Sequence, residues 1–566
     1  MGEFGGPNEI LVDVYSLTRD EKYLDCARKF KHDIVFDAVA AGDLSVLAGK
    51  HANTEVPKFI GYQRTYDATG EAVWHTASVN FWKEVVDRYT WPNGGAGQWE
   101  HFQPINDTSI YQDCGPETCV SYNMLKLTRQ LWANNPLCSC IAYYERTLYN
   151  SILPSETLDG GFVYYTSMRP GHYRVFSRPY DAFWCCVGTG MENHAQLGLM
   201  IYGRDNNRLY VNLFITSTLN WREQSATIQQ ETTFPEAPES RISIRLPQPK
   251  EFTISVRKPE WSDLDDFKIK INGKPIAVKA AADGYVNITR IWKNYDLIEV
   301  ELAPRIYAEE SAGGSFASFY YGPVLLAGAL GDSGLVHADF YGGGNNTNVT
   351  NQLAVNSEPL TNFPGLSAAS EAVASDIHLS KEGAAAFAAE HAFTSDNVTL
   401  RPLYDLAFQR YTVLWPTERY YAKQRFAIEQ IESKSIDHVI VGDGHSEEAH
   451  HLNMVGSSTG FAGQGPCRAW RDATGWFSYD MAVSPSLPVG VRCVYWGADS
   501  GRTFRILVDD TVISTVNLVG GHNDSYISAV YPIPLDITKG RTQVTVKFDA
   551  NGSQAGGVFD VRTIKA

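Results

Sequence analysis

Over the first two hundred residues apolar side chains recur at helical spacing. Asn8-Glu-Ile-Leu-Val-Asp-Val-Tyr-Ser-Leu is followed by Thr-Arg-Asp-Glu and a second periodic run from Tyr23 to Phe30. The phrase returns from Ile60 to Val86, with a helix ending near Tyr66, a turn at Asp67-Ala-Thr-Gly70-Glu and a second helix from Ala72. It returns again from Thr118 to Ile152, and Met191 to Tyr202 reads as one more amphipathic helix. Copies spaced by about fifty residues predict stacked α-hairpins, as in an α/α toroid. A closed ring takes about six hairpins and three are legible, so the pattern predicts a toroid incomplete on its N-terminal side.

From Arg208 the period changes to two: Leu209-Tyr-Val-Asn-Leu-Phe-Ile, Ser243-Ile-Arg-Leu, Phe252-Thr-Ile-Ser-Val and Ile298-Glu-Val-Glu-Leu. With Asn272-Gly273 as a hairpin turn this predicts an antiparallel β-sandwich. Residues 331–435 are rich in Gly, Asn and Ala, weakly patterned, and read as an extended linker or decoration. Strands resume near 436, including Arg502-Thr-Phe-Arg-Ile-Leu-Val, a turn at Asp509-Asp510, and Val512-Ile-Ser-Thr-Val. The expected organisation is multidomain α + β: a partial α/α-barrel at 1–204, a β-sandwich at 205–330, the linker at 331–435, and a jelly-roll-like C-terminal β-sandwich at 436–566.

Charge narrows the partners. Forty-eight Lys and Arg against sixty-four Asp and Glu give −16, the wrong sign for a surface that tracks phosphates, so nucleic acid is not an expected partner. No apolar run approaches the ~20 residues of a membrane span. The first residues show neither a charged n-region nor an apolar h-region, so no signal peptide is visible. Seven N-x-S/T triplets, among them Asn348-Val-Thr and Asn397-Val-Thr, permit glycosylation in a secreted setting without establishing one.

Nine cysteines are not a disulfide framework in so long a chain, and seven of them precede residue 190. Two clusters stand out. In Asp113-Cys-Gly-Pro-Glu117-Thr-Cys119, Pro116 marks a helix start and puts Glu117 and Cys119 in its first turn. Unpaired N–H groups there favour a carboxylate and a thiolate. Phe183-Trp-Cys185-Cys186-Val-Gly188-Thr-Gly190 places a cysteine pair just before another helix. Three thiols and a carboxyl form a tetrahedral donor set suited to Zn²⁺, while adjacent cysteines can equally form a strained disulfide or pack as small apolar side chains. In Gly94-Gly-Ala-Gly-Gln-Trp-Glu100-His101-Phe102, a glycine-rich, aromatic-flanked loop presents Glu100, either as a carboxyl with a raised pKa for acid/base work or as an ordinary surface glutamate. His51, in Lys50-His-Ala-Asn-Thr, is open to the same two readings.

The strings EFGGPNE, GKHANTEVPK, GQWEHF, GPETCVSYNMLKLTR and FWCCVGTG, in order from residue 3, resemble those of glycoside hydrolase family 127 and its neighbour family 146, the β-L-arabinofuranosidases. The resemblance runs to about residue 330, and HVIVGDGHSEEAHHLN, GWFSYDMAV and VYWGADSGRTF resemble the β-domain appended to many such enzymes. It implies an (α/α)6 barrel followed by β-sandwiches. It also implies zinc held by Glu117, Cys119, Cys185 and Cys186, with Cys185 as nucleophile, Glu100 as acid/base, and His51 and Tyr164 touching the sugar. The implied reaction is retaining release of L-arabinose from non-reducing-end β-L-arabinofuranosides through a thioglycosyl intermediate, with an arabinose-containing glycan as partner. Family members carry further barrel hairpins before the EFGG string. The alternative is therefore a truncated, inactive chain acting at most as a carbohydrate-binding or structural zinc protein.

Overall fold

The computed structural model describes residues 6–98, 100–103, 105, 115–262, 265–333, 335–342, 365–379, 386–388, 398–417, 430–461, 469–521 and 526–565. The triplets at Asn348 and Asn397 and the cysteines Cys114 and Cys467 lie outside them.

Three helical hairpins open the chain. They are α1 (Pro7–Thr18) with α2 (Glu21–Arg28), then α4 (Ala52–Thr69) with α5 (Ala72–Arg88), then α6 (Thr118–Asn134) with α7 (Cys138–Thr147). Between the first two lies α3 (Asp33–Ala40), and α8 (Cys185–Ala195) follows the third. In α4 the buried positions Val56, Phe59, Ile60 and Gln63 repeat at i, i+3, i+4 and i+7, the stripe that a packed helix needs. Gly70, at φ 73°, ends it by returning its N–H to the Tyr66 carbonyl at 2.8 Å, so the helix runs three residues past the expected end at Tyr66. Helices α1, α4, α6 and α8 form a row in which each packs on the next, while α2, α5 and α7 double back behind their partners. This curved row of hairpins is the toroid-type architecture that the period predicted.

Two helical expectations need correction. The two-turn α3, which buries Val35, Phe36 and Val39, was not anticipated. The helix expected at Met191 to Tyr202 instead spans Cys185–Ala195, and Tyr202 opens a strand. Cys185 and Cys186 therefore lie inside the first turn of α8 rather than ahead of it.

A four-stranded sheet (Tyr202–Arg204, Arg208–Val211, Lys250–Arg257, Tyr285–Trp292) faces a six-stranded one that includes Ala226–Thr232, Glu239–Arg245 and Asp296–Glu301. Leu209, Ile228, Ile254, Trp292 and Ile298 fill the gap, each fully buried and each contributing about 1.5–3 kcal/mol. Pairing is antiparallel except between Arg208–Val211 and Lys250–Arg257, which run parallel. Asn272 and Gly273, both at positive φ, make the predicted hairpin turn.

A further sheet is built on Ile306–Glu310, Phe316–Tyr321 and Val324–Ala329. The stretch 331–435 contributes short strands to it, at His378–Leu379, Phe387–Ala388, Leu400–Pro402, Tyr411–Thr412 and Trp415–Pro416. The last sheet is nine-stranded and packs Val439, Phe477, Tyr479, Val491, Phe504 and Phe548 into its own core. Asp509 and Asp510, again both at positive φ, turn the chain between Ser500–Val508 and Thr511–Val519.

Candidate functional site

Three successive members of the helical row present a site residue at their N-terminal ends. His51 caps α4, Glu117 caps α6, and Cys185 is the first residue of α8. Such ends carry unpaired N–H groups and partial positive charge, which favour anionic side chains.

A strap from Tyr164 to Arg174 crosses these ends. Its backbone pairs with the start of α6: Thr118 donates to the Tyr164 carbonyl at 3.0 Å and Thr166 to the Pro116 carbonyl at 3.2 Å. Gly115 must be glycine here, because a Cβ would strike the Thr166 carbonyl.

The structure brings together all four expected metal ligands. One oxygen of Glu117 and the sulfurs of Cys119, Cys185 and Cys186 lie within 4.8 Å of one another. Cys185 Sγ is 3.8 Å from Glu117 Oε1 and 3.9 Å from Cys186 Sγ, and Cys186 Sγ is 3.9 Å from Glu117 Oε1. Cys119 and Cys186 approach to 3.2 Å. Ligands held tetrahedrally, with Zn–S about 2.3 Å and Zn–O about 2.0 Å, sit about 3.8 Å apart for two sulfurs and about 3.5 Å for sulfur and oxygen, so the Cys185–Cys186 separation matches a zinc site and the two sulfur–oxygen separations lie within about 0.4 Å of one. A second observation agrees: Glu117 Oε2 is buried with no hydrogen-bond partner. The donor set fits Zn²⁺.

Protonation follows from the crowding. Burial, reinforced by the negative charge of Glu100 and Cys185, drives the Glu117 pKa well above the carboxylate range. Cys119 is pushed up chiefly by its hydrogen bond with Cys185, and Cys186 chiefly by burial. Cys185 goes the other way, to about 3, because Cys119 and then Cys186 donate to its sulfur, outweighing desolvation. One thiolate is thus selected among three thiols. It is also the exposed member of the set, while the other three are buried.

Glu100 sits at φ 62° in the tight turn between Gln98 and His101, its carbonyl accepting from the Ala52 N–H at 2.6 Å. His51 Nε2 lies 3.3 Å from one carboxylate oxygen, and the Tyr164 hydroxyl donates to the other. The expectation of a raised pKa is not met in this arrangement. Burial pushes it up, but the His51 and Tyr164 contacts outweigh burial and bring it to about 2. Tyr164 also helps to hold the Cys185 sulfur in its ionised form, so one side chain bears on both thiolate and carboxylate. All the expected site residues, His51, Glu100, Glu117, Cys119, Tyr164, Cys185 and Cys186, therefore form one constellation.

Two contributors escaped the sequence reading. Thr189, one turn beyond Cys185, places its hydroxyl 3.1 Å from Cys119 Sγ, and the i, i+4 spacing was the available signal. Tyr165 adds a further hydrogen bond to Glu100, and nothing in its neighbourhood of the sequence marks it.

Comparison with known proteins follows the same division of the chain. Residues 1–199 match a beta-L-arabinofuranosidase GH127 catalytic domain and residues 208–304 the GH127 middle domain. Residues 308–417 and 430–564 each match a family of unknown function. A non-reducing end beta-L-arabinofuranosidase of Bifidobacterium longum subsp. longum is 26% identical over 228 residues, which are 36% of this chain and 34% of that protein. The chain thus matches about a third of the length of this curated relative. Among solved structures, a GH127 beta-arabinofuranosidase aligns with TM-score 0.52 at 21% identity, over 73% of this chain and 68% of that one. A GH127 beta-L-arabinofuranosidase from Geobacillus stearothermophilus T6 aligns with TM-score 0.52 at 18% identity, over 72% and 71%. At these identities the structural likeness shows the fold. No helix among the described residues is long and apolar enough to cross a membrane.

Proposed function

We propose, from the premise that this chain belongs to glycoside hydrolase family 127, that it is a retaining β-L-arabinofuranosidase acting on non-reducing ends of arabinofuranose-containing glycans. The observation that carries the reading is the gathering of Cys185 with Glu117, Cys119 and Cys186 beside Glu100, whose carboxylate accepts from the Tyr164 hydroxyl. A nucleophile and an acid/base gathered at one site are what double displacement at a sugar carbon requires.

The Cys185 sulfur attacks the anomeric carbon, forming a C–S bond as the glycosidic C–O bond breaks. Glu100 gives its proton to the leaving oxygen. Glu100 then takes a proton from water as the water oxygen bonds to the anomeric carbon, and the C–S bond breaks to restore the thiolate. Both inversions together retain configuration. Glu100 must be protonated at the outset. A sugar that displaces His51 or Tyr164 from its oxygens removes the interactions that lower its pKa and leaves burial, which raises it. Glu117, Cys119, Cys185 and Cys186 would hold Zn²⁺, which when bound supplies the positive charge that keeps neighbouring thiolates ionised.

Release of L-arabinose from an aryl β-L-arabinofuranoside by zinc-loaded protein, abolished in C185A and E100Q while zinc content in E100Q is kept, is the expected result. Absence of turnover with one zinc per chain refutes the reading and favours a zinc-holding chain without hydrolase activity.

A further inference from the structure

The strap that carries Tyr164 is fastened midway, at Arg169, by parts of the chain that lie more than two hundred residues away. Arg169 Nη2 meets Glu432 Oε2 at 3.0 Å, and the other oxygen of Glu432 meets Arg562 Nη1 at 2.9 Å. The side chains of Arg169 and Glu432 are 1% and 5% exposed, so this bridge is sealed from solvent and is not the weak surface kind. Beyond Arg562 the chain of charges continues into the C-terminal sandwich. Arg562 Nε is 3.4 Å from Asp560, which also holds Arg492 at 2.7 Å and His438 at 2.7 Å. These groups sit on paired strands, Val489–Trp496, Ser435–Val439 and Ala555–Lys565.

Neighbouring contacts fix the same strap from the preceding sheet. The Tyr411 hydroxyl donates to the Ser167 carbonyl at 2.6 Å, Gly171 and His172 pair with the Tyr411 backbone, and Arg410 donates to the Gly171 carbonyl. Arg174 closes the strap by donating to the carbonyls of Leu403 and Leu406. Only four residues separate Tyr164 from Arg169, and the backbone of Tyr164 and Thr166 is hydrogen-bonded to the start of α6 beside Glu117. Tyr164 and Arg169 thus lie on one short, hydrogen-bonded stretch, along which a change in how Arg169 is held is passed toward Tyr164.

We propose that the C-terminal sandwich sets the position of the Tyr164 hydroxyl, and through it Glu100, by way of the buried Arg169–Glu432–Arg562 bridge. Glu432 is a positioning residue, acting through Arg169 and Arg562. The sandwich thereby acts on a site to which, among the described residues, it contributes no side chain. The inference rests on the hydrolase reading for its kinetic consequence but not for its structural one.

Full-length E432Q keeps the shape and an acceptor oxygen while removing the charge that Arg169 and Arg562 share. E447Q is the control, because Glu447 forms a buried pair with Arg471 in the same sandwich and also accepts from the Tyr479 hydroxyl there. Hydrogen–deuterium exchange in peptides spanning 164–174 rises about tenfold in E432Q and stays at the wild-type rate in E447Q. On the aryl arabinofuranoside, kcat of E432Q falls about 10- to 100-fold with KM little changed, the signature of a displaced catalytic group rather than a lost binding contact. R562K, which keeps the charge but loses the planar fork, falls between E432Q and wild type. Unchanged exchange at 164–174 in E432Q, or the same rise in E447Q, overturns the proposal. So does raised exchange with unaltered kcat. If wild-type protein proves not to turn over the arabinoside, the hydrolase reading falls, and the exchange comparison alone decides the coupling. Should E432Q not fold, R562K carries both readouts.

Discussion

Loading the cysteine cluster with metal should expel protons, and the structure gives their number. Without metal, Cys185 is the thiolate, while Glu117, Cys119 and Cys186 are held protonated by burial and by one another. Each ligand must be deprotonated to bind, so Zn²⁺ binding at neutral pH displaces one proton from each of those three. The sign follows directly. Protons compete with metal, so apparent affinity falls as pH falls, with a slope approaching three decades per pH unit, or about 4 kcal/mol per unit. Chelator-competition titrations at pH 6.5, 7.0 and 7.5 measure that slope. Calorimetry in buffers of differing ionisation heat counts the protons independently. C185S, in which a hydroxyl that keeps its proton replaces the ready thiolate, should bind more weakly without steepening the slope. A slope near zero or one, or release of fewer than two protons per zinc, would mean that the thiols and the carboxyl are not arranged as described and refutes the electrostatic account of the cluster.

Three other outcomes are expected. Y164F removes a donor from ionised Glu100, a hydrogen bond worth about 1.5–3 kcal/mol, so the Glu100 pKa rises by about one to two units from about 2 and the alkaline limb that it governs in kcat/KM moves to higher pH. In the C-terminal sandwich, His450 and Asp437 form a buried pair at 3.1 Å that raises the His pKa and lowers the Asp pKa. Its His contribution to stability is complete below the unfolded His pKa and lost as pH rises through the raised value. The Asp contribution is present above the unfolded Asp pKa and lost as pH falls through the lowered one. Calorimetry should therefore show H450Q destabilising that transition by about 3–5 kcal/mol at pH 6 and by less at pH 9. G190A sets a methyl group against the Phe162 ring at the end of the α8 turn that holds the cysteines, and should cost about 1–3 kcal/mol together with zinc occupancy, read by metal analysis after dialysis.

What was legible in the sequence follows from where periodic burial is strong. Helices α4 to α6 bury one stripe over four or five turns, and the strands at 226–232 and 239–245 alternate buried and exposed positions, so both periods are written out in full. Helix α3 is two turns long, too short to show a period against its surroundings. The strands between 378 and 416 are two or three residues each, and paired fragments of that length leave no alternation to detect. The start of α8 was set too late because its first turn is Cys-Cys-Val-Gly, where small residues hide the amphipathic signal. The site residues were found through their motifs. The partners that tune them, Thr189, Tyr165 and the Arg169–Glu432 bridge, depend on contacts between distant segments that no local pattern records.

The backbone at Glu100 has a consequence for how the molecule tolerates change. A glutamate at φ 62° occupies the left-handed region, which costs an L-residue with a Cβ on the order of 1 kcal/mol and costs glycine nothing. The turn itself is secured through the Glu100 carbonyl, which the α4 terminus holds whatever side chain is attached. Backbone conformation and the proposed chemistry therefore prefer different residues at this one position. E100G relieves that backbone cost but also removes the acceptor that His51 and Tyr164 share, so its melting temperature reads the balance of the two, while the proposed acid/base is lost outright.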